Sequence, residues 1–183
     1  MPLHDTQARA VFLDRDGVLN KSIVRDGRPY APTSLSEFEL LPGVVGAAHA
    51  LHHQGFLLIV VTNQPDVGAG RVKRQTVEQM NAELRKWLPI DDIKVCYHVD
   101  RDNCECRKPK PGMLLDAARE WNIDLAASVM VGDRWRDIDA GHAARCKTVF
   151  VDCGYDEKEM SHHANAVVGS LDAAARLIID GVL

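Results

Sequence analysis

The stretch that decides the fold is Ala10-Val11-Phe12-Leu13-Asp14-Arg15-Asp16-Gly17-Val18-Leu19-Asn20. Four apolar residues run without a break, and then the chain turns abruptly to charge. An apolar run this short reads as a strand buried on both faces, as in the middle of a parallel sheet. On an extended segment residues two apart point the same way, so Asp14 and Asp16 share a face. Two carboxylates at the end of a buried strand repel unless a cation or a proton is shared between them. Mg2+ meets that need, being a hard ion that prefers carboxylate and phosphate oxygen. Asp-x-Asp by itself is also an ordinary turn or cap pair, so the rest of the chain must decide.

The same rhythm repeats outward from this stretch. Residues 43 to 54 carry Val44, Ala47, Ala48 and Leu51 at helical spacing. Phe56 to Val61 is a second continuous apolar run. Val72 to Leu88 reads as a helix with Val77, Met80, Leu84 and Leu88 on one stripe, stopped by Pro89. Ile93 to Tyr97 is a strand, and Pro111 opens a further helix. Ser128 to Val131 and Thr148 to Val151 are strands, with a short helix over Asp137 to Ala144 between them and a closing helix over Leu171 to Ile179. Trp87 and Trp121 fall on helix stripes and read as core. The pairs His52-His53 and His162-His163 read as surface residues. Alternating strands and helices imply a parallel sheet covered on both faces, with right-handed crossovers. In such sheets ligands bind at the carboxyl ends of the strands.

The residues at those ends are polar in every case. They are Asp14 to Asn20, then Thr62-Asn63-Gln64, then Cys96-Tyr97-His98 with Arg107-Lys108 further on, then Gly132-Asp133 with Asp137 four residues later. Asp133 adds a third carboxylate and Lys108 a cation. Phosphoryl transfer asks for positioning and charge neutralisation, and one metal, one cation and one proton shuttle supply them.

Taken in order, Asp14-x-Asp16-Gly17, Thr62-Asn63, Lys108 and Gly132-Asp133-x-x-x-Asp137 resemble the four motifs of the haloacid-dehalogenase-like (HAD) phosphohydrolases, from about residue 10 to 152. The resemblance implies an α/β fold, a HAD-like Rossmannoid three-layer sandwich about a central parallel sheet. It implies that Asp14 is the nucleophile, forming an aspartyl-phosphate, and that Asp16 is the general acid and then base. Asp14, the main-chain carbonyl of Asp16 and Asp133 would hold Mg2+. The Thr62 hydroxyl and the Asn63 backbone would bind phosphoryl oxygens, and Lys108 would neutralise charge. Asp137 either orients Lys108 or a water on the metal, or is an exposed carboxylate favoured by the helix dipole. Arg15, Asn20, Asn63, Gln64, Arg107 and Arg134 are the candidate substrate contacts.

Cys96-x-His98-x5-Cys104-x-Cys106 gathers three thiols and an imidazole within eleven residues. Three Cys and one His suit a closed, structural zinc site. Buried reduced thiols and a redox pair are the competing readings; the polar stretch Val99 to Asn103 disfavours the first, and His98 is unexplained by the second. A zinc-binding loop would fix Arg107 and Lys108, which follow Cys106 directly. Cys146 and Cys153 read as ordinary reduced residues. The order Cys-x-His…Cys-x-Cys-Arg-Lys-Pro resembles two branches of the family, the heptose-bisphosphate 7-phosphatases and the histidinol-phosphate phosphatases. Lys110-Pro111-Gly112-Met113 favours the first, and the five-residue gap between His98 and Cys104 resembles the second. The first is the expected substrate class, the second its alternative. A zinc-stabilised binding module without catalysis is the alternative of another kind; Asp14 and Asp16 argue against it.

Composition bounds the rest. At 183 residues, against ~100–200 per domain, residues 1–183 read as a single domain. Apolar residues are 46% and charged residues 26%, an ordinary globular mix. With Lys plus Arg at 22 and Asp plus Glu at 26, the net charge of −4 disfavours a nucleic-acid partner. Phe56 to Val61 falls far short of the ~20 apolar residues of a membrane span, and Met1 to Asp5 has no apolar signal core. These readings give a cytoplasmic protein, monomeric by family resemblance, acting on a small phosphorylated substrate. Neither the interval from Asp16 to Val44 nor that from Thr62 to Lys108 has room for a cap domain, so the site should be open and loops should recognise substrate.

Overall fold

The computed structural model describes residues 7–156 and 162–183. The opening apolar run is strand β1 (Arg9–Leu13). It pairs in parallel with β4 (Phe56–Asn63) on one side and β6 (Val129–Gly132) on the other, so that Leu13 stands opposite both Val60 and Val131. β5 (Asp92–Cys96) lies outside β4, while β7 (Lys147–Val151) and β8 (Ala166–Val168) continue beyond β6. The order is β5-β4-β1-β6-β7-β8, and every pairing is parallel.

The alternation of side chains along β1 builds both halves of the core. Val11 and Leu13 enter one apolar cluster, Ala10 and Phe12 the other. The first is covered by α1 (Val44–His53), the end of α3 (Arg74–Trp87) and α6 (Leu171–Ile179). The second is covered by α4 (Gly112–Trp121) and α5 (Trp135–Ala143). Val11, Phe12, Leu58, Ile59, Val60 and Val131 are all fully buried, and full burial of such a side chain contributes ~1.5–3 kcal/mol. Ser170 caps α6, its hydroxyl accepting from the Ala173 N–H at 3.2 Å. The chain leaves β1 toward one face of the sheet and β6 toward the other. This opens a crevice where the strand order reverses, with Asp14 and Asp133 at its lip.

Two features depart from the sequence reading. Between β1 and α1 lies a hairpin, β2 (Ile23–Arg25) and β3 (Arg28–Tyr30). Its two-residue turn, Asp26-Gly27, has φ of 49° and 74°, as a tight hairpin requires. Together with the short helix α2 (Pro65–Gly68) after β4, it takes the place of a cap; no cap domain occurs among the described residues. The tryptophans are not core: Trp87 is 61% exposed and Trp121 39%. Each is the last residue of its helix, where the apolar stripe runs out past the sheet. The Trp121 indole instead donates to the Asp92 carboxylate at 3.0 Å. His52, His53, His162 and His163 are exposed. Among the described residues no helix is long and apolar enough to cross a membrane. Met1 to Asp5 lie outside the described residues.

Candidate active site

Asp14 leaves β1 with its N–H donated to the Val131 carbonyl at 3.0 Å, which ties it to β6 and so to Asp133. Lys108 arrives from the far side of the sheet. Its ammonium donates to Asp14 Oδ1 at 2.8 Å and to the Val61 carbonyl at 2.7 Å, and lies 2.6 Å from Asp137 Oδ1. Asp14, Asp133 and Asp137 each bring a carboxylate oxygen within 4.8 Å of the other two. All four side chains are buried. Three carboxylates, if all were ionised, would leave a net charge of −2 against one ammonium among buried side chains. Burial, reinforced by Asp137 and opposed by Lys108, pushes the Asp14 carboxyl up to about 6. Asp133 is pushed well above the usual carboxylate range, by burial first and then by Asp14. Lys108 is held above its ordinary value by Asp137 and Asp14, which outweigh its burial.

The donor set fits a divalent cation. Both carboxylate oxygens of Asp133 are buried and accept no hydrogen bond, although the Tyr155 hydroxyl comes near them. An orphaned buried carboxylate is costly, and a hard cation satisfies it with oxygen ligands of this kind. Gly17 and Gly132 make the cluster possible. A Cβ at Gly17, where φ is 96°, would overlap the Asp133 carboxylate, and one at Gly132 would overlap the Asp137 side chain.

Asp16 is fixed by a separate set of donors. Arg15 reaches it through Nε and Nη2 at 3.1 Å, Asn20 through Nδ2 at 2.9 Å and Gln64 through Nε2 at 2.7 Å. Arg15, Asn20 and Gln64, expected as substrate contacts, are thus brought together around Asp16. Arg15 and Asn20 are fully buried and Gln64 nearly so, and each donates to Asp16. Arg15 also donates to Asn81 Oδ1 at 3.0 Å, away from the crevice. Thr62 is buried, and its hydroxyl accepts from Gln64 at 3.0 Å, leaving its own hydrogen to donate. The Asn63 amide exchanges two hydrogen bonds of 3.1 Å with the main chain of Lys108.

Asp137 is no exposed dipole carboxylate. It is 2% exposed, accepts from the Arg134 N–H at 3.0 Å to cap α5, and holds Lys108 with its other oxygen. Arg107 and Arg134 line a cavity of about 540 Å3 that opens from Asp14, Asp16, Lys108 and Asp133. Arg107 donates to Asp100 at 2.6 Å through Nε, while its Nη1 is buried with no hydrogen-bond partner.

The cysteine loop closes on itself. Cys96, His98, Cys104 and Cys106 each offer an atom within 4.8 Å of the other three. The Sγ–Sγ separations are 2.9 Å, 3.4 Å and 3.6 Å, and His98 Nδ1 lies 3.3 Å from Cys106 Sγ. A tetrahedral zinc with bonds of ~2.3 Å asks for sulfur separations of ~3.8 Å, so slight expansion would seat one. No disulfide forms, and Cys146 and Cys153 are likewise free.

A HAD-hydrolase-like family model matches residues 105–174, from the cysteine loop to α6. The D-glycero-beta-D-manno-heptose-1,7-bisphosphate 7-phosphatase of Photorhabdus laumondii is 36% identical over 88% of this chain and 90% of that protein. The D-glycero-alpha-D-manno-heptose-1,7-bisphosphate 7-phosphatase of Burkholderia mallei is 35% identical over 87% of this chain and 88% of that protein. The chain belongs to the HAD-like phosphatases. A solved structure agrees: the D,D-heptose 1,7-bisphosphate phosphatase from B. bronchiseptica, complexed with magnesium and phosphate, superposes with a TM-score of 0.82 at 30% identity, covering 94% of this chain and 99% of that one. As a HAD-like phosphatase the chain is an enzyme.

Proposed function

We propose that this HAD-like phosphatase removes the 7-phosphate of D-glycero-D-manno-heptose 1,7-bisphosphate through an aspartyl-phosphate on Asp14, with Mg2+ in the crevice and a structural Zn2+ in the cysteine loop. The observation that carries the chemistry is the Asp133 carboxylate, without a hydrogen-bond partner and clustered with Asp14 and Asp137, of which Asp14 also holds Lys108. The names of the similar proteins support the substrate, as does a cavity rimmed with arginines.

Asp14 attacks phosphorus while the bond from phosphorus to the C7 oxygen breaks. Asp16 gives that oxygen its proton, so the leaving group departs as an alcohol. Asp16 then takes a proton from water, whose oxygen attacks phosphorus and breaks the bond to Asp14. Lys108 keeps Asp14 aimed and offsets charge on the phosphoryl group, and the Thr62 hydroxyl and Asn63 backbone donate to its oxygens. Arg15, Asn20 and Gln64 hold Asp16 in place for both proton transfers. Arg107 Nη1 is a free donor for a sugar hydroxyl, and Arg134 is a second contact. A cation bound by Asp14, Asp133 and the Asp16 carbonyl supplies further charge neutralisation. In the same reading residues 1–183 are one domain, acting as a monomer in the cytoplasm on a small-molecule substrate, without nucleic acid.

A phosphate-release panel tests this. The Mg2+-loaded enzyme should release one phosphate from heptose 1,7-bisphosphate, with the best kcat/KM for one anomer. Preference for histidinol phosphate would overturn the substrate assignment, and release from nothing would favour a binding module.

A further inference from the structure

The catalytic crevice and the β2–β3 hairpin belong to one cavity. Asp14, Lys108 and Asp133 line its inner end, and Arg25 and Tyr30 of the hairpin line it too. Most of the cations around that cavity are already engaged. Lys108 pairs with Asp14 and Asp137, Arg71 with Asp66, and Arg107 and Arg136 with Asp100.

Arg25 differs. Its guanidinium lies 5.8 Å from the centre of the Tyr30 ring, the diagonal neighbour across the ladder. It stands directly opposite Arg28. Like charges facing each other on a hairpin destabilise it. Yet neither arginine makes an ion pair among the described residues, not even with Asp26 in the turn. The hairpin is not loose: its tip is fastened where the Asp156 N–H donates to the Gly27 carbonyl at 2.9 Å. Glu37 feels the Arg25 charge from beyond ion-pair distance, so Arg25, lining a catalytic cavity and paired with no carboxylate among the described residues, can receive an anion.

We infer that Arg25, steadied by Tyr30, grips the phosphate that is not hydrolysed, so that the hairpin is the element selecting a bisphosphate over a monophosphate. The inference rests on the proposed bisphosphate substrate. A doubly phosphorylated sugar seated with one phosphate against Asp14 carries the other at the far end of its own length. A cavity of about 540 Å3 has room for both. Arg25 would act as a specificity contact and take no part in proton or phosphoryl transfer.

The test is steady-state kinetics of the Mg2+-loaded enzyme on heptose 1,7-bisphosphate and heptose 7-phosphate, comparing wild type, Arg25→Gln and Arg25→Lys. Losing a charge-assisted contact should lower kcat/KM on the bisphosphate about 10- to 100-fold, mainly through KM. The loss on the monophosphate should be at least about tenfold smaller, and Arg25→Lys should recover part of the preference. An equal loss on both substrates, or none on the bisphosphate, overturns the role of Arg25 while leaving the heptose assignment standing. A wild-type enzyme that hydrolyses neither sugar fails the assignment itself, and the inference with it.

Discussion

Asp137 holds Lys108: the ammonium lies 2.6 Å from Asp137 Oδ1, and each side chain is 2% exposed. The same ammonium reaches Asp14 at 2.8 Å. Asp137 therefore sets where the positive charge meets the nucleophile. Asp137→Asn should keep most of the α5 cap but weaken the ion pair. Lys108 keeps Asp14 as a partner and the repulsion between Asp14 and Asp137 is relieved, so only a modest change in melting temperature is expected. A fall in kcat with little change in KM should accompany it, and steady-state kinetics beside a melting curve checks both.

Asp14→Asn should lower kcat by more than about three orders of magnitude, as loss of a nucleophile does. The fold should survive, because the Asn amide fills the same space without the charge that burial opposes. Circular dichroism and a turnover assay decide this, and full activity in the variant would end the aspartyl-phosphate mechanism.

That variant also carries a pH signature. In the Mg2+-free protein the Asp14 carboxyl titrates at about 6, raised from an ordinary 3.8. Between those values the folded state holds a proton that the unfolded state has lost. The stability contribution is thus fully present below about pH 4 and is lost as pH rises through 6. Asn has no such dependence. Without Mg2+, Asp14→Asn should gain melting temperature relative to wild type as pH goes from 4.5 to 7. Mg2+, which favours the ionised carboxylate, should shrink that gap.

Gln64→Met tests the donor set around Asp16. Gln64 gives Asp16 a 2.7 Å hydrogen bond and is buried. An apolar side chain of similar length should lower kcat about tenfold and leave KM nearly unchanged. A KM effect alone would mean that Gln64 contacts the sugar after all.

Protein purified without chelator should carry about one zinc per chain if the cysteine loop is the closed site its geometry suits. Cys104→Ser should lose that metal, melt earlier and lose activity through displacement of Arg107, while the Asn63 amide keeps Lys108 in place. Elemental analysis and kinetics of the same preparation check it.

Much of this was legible in the chain. β1 could be read because it is buried on both faces and so is continuously apolar, and the acidic residues after it mark the crevice. The hairpin was missed although Asp26-Gly27 is a strong turn signal, because its strands are three residues each and alternate little. Trp87 and Trp121 misled because periodicity fixes the face of a helix but not where the sheet beneath it ends. The engagement of Arg15 with Asp16 and with Asn81 was not legible, because Asn81 lies 66 residues away in the sequence. The family resemblance already offered Lys108 as a partner for Asp137 beside two other roles; the fold, which buries both side chains 2.6 Å apart, selects among them.

The two hydrogen bonds between the Asn63 amide and the Lys108 main chain have an evolutionary consequence. They register the lysine against β4 directly, independent of the path by which the chain arrives. Insertions or deletions between His98 and Cys104 would therefore lengthen or trim an outlying spur without shifting the ammonium. A lineage built on this scaffold is free to vary that spur, and any recognition it carries, while the reaction centre keeps its dimensions.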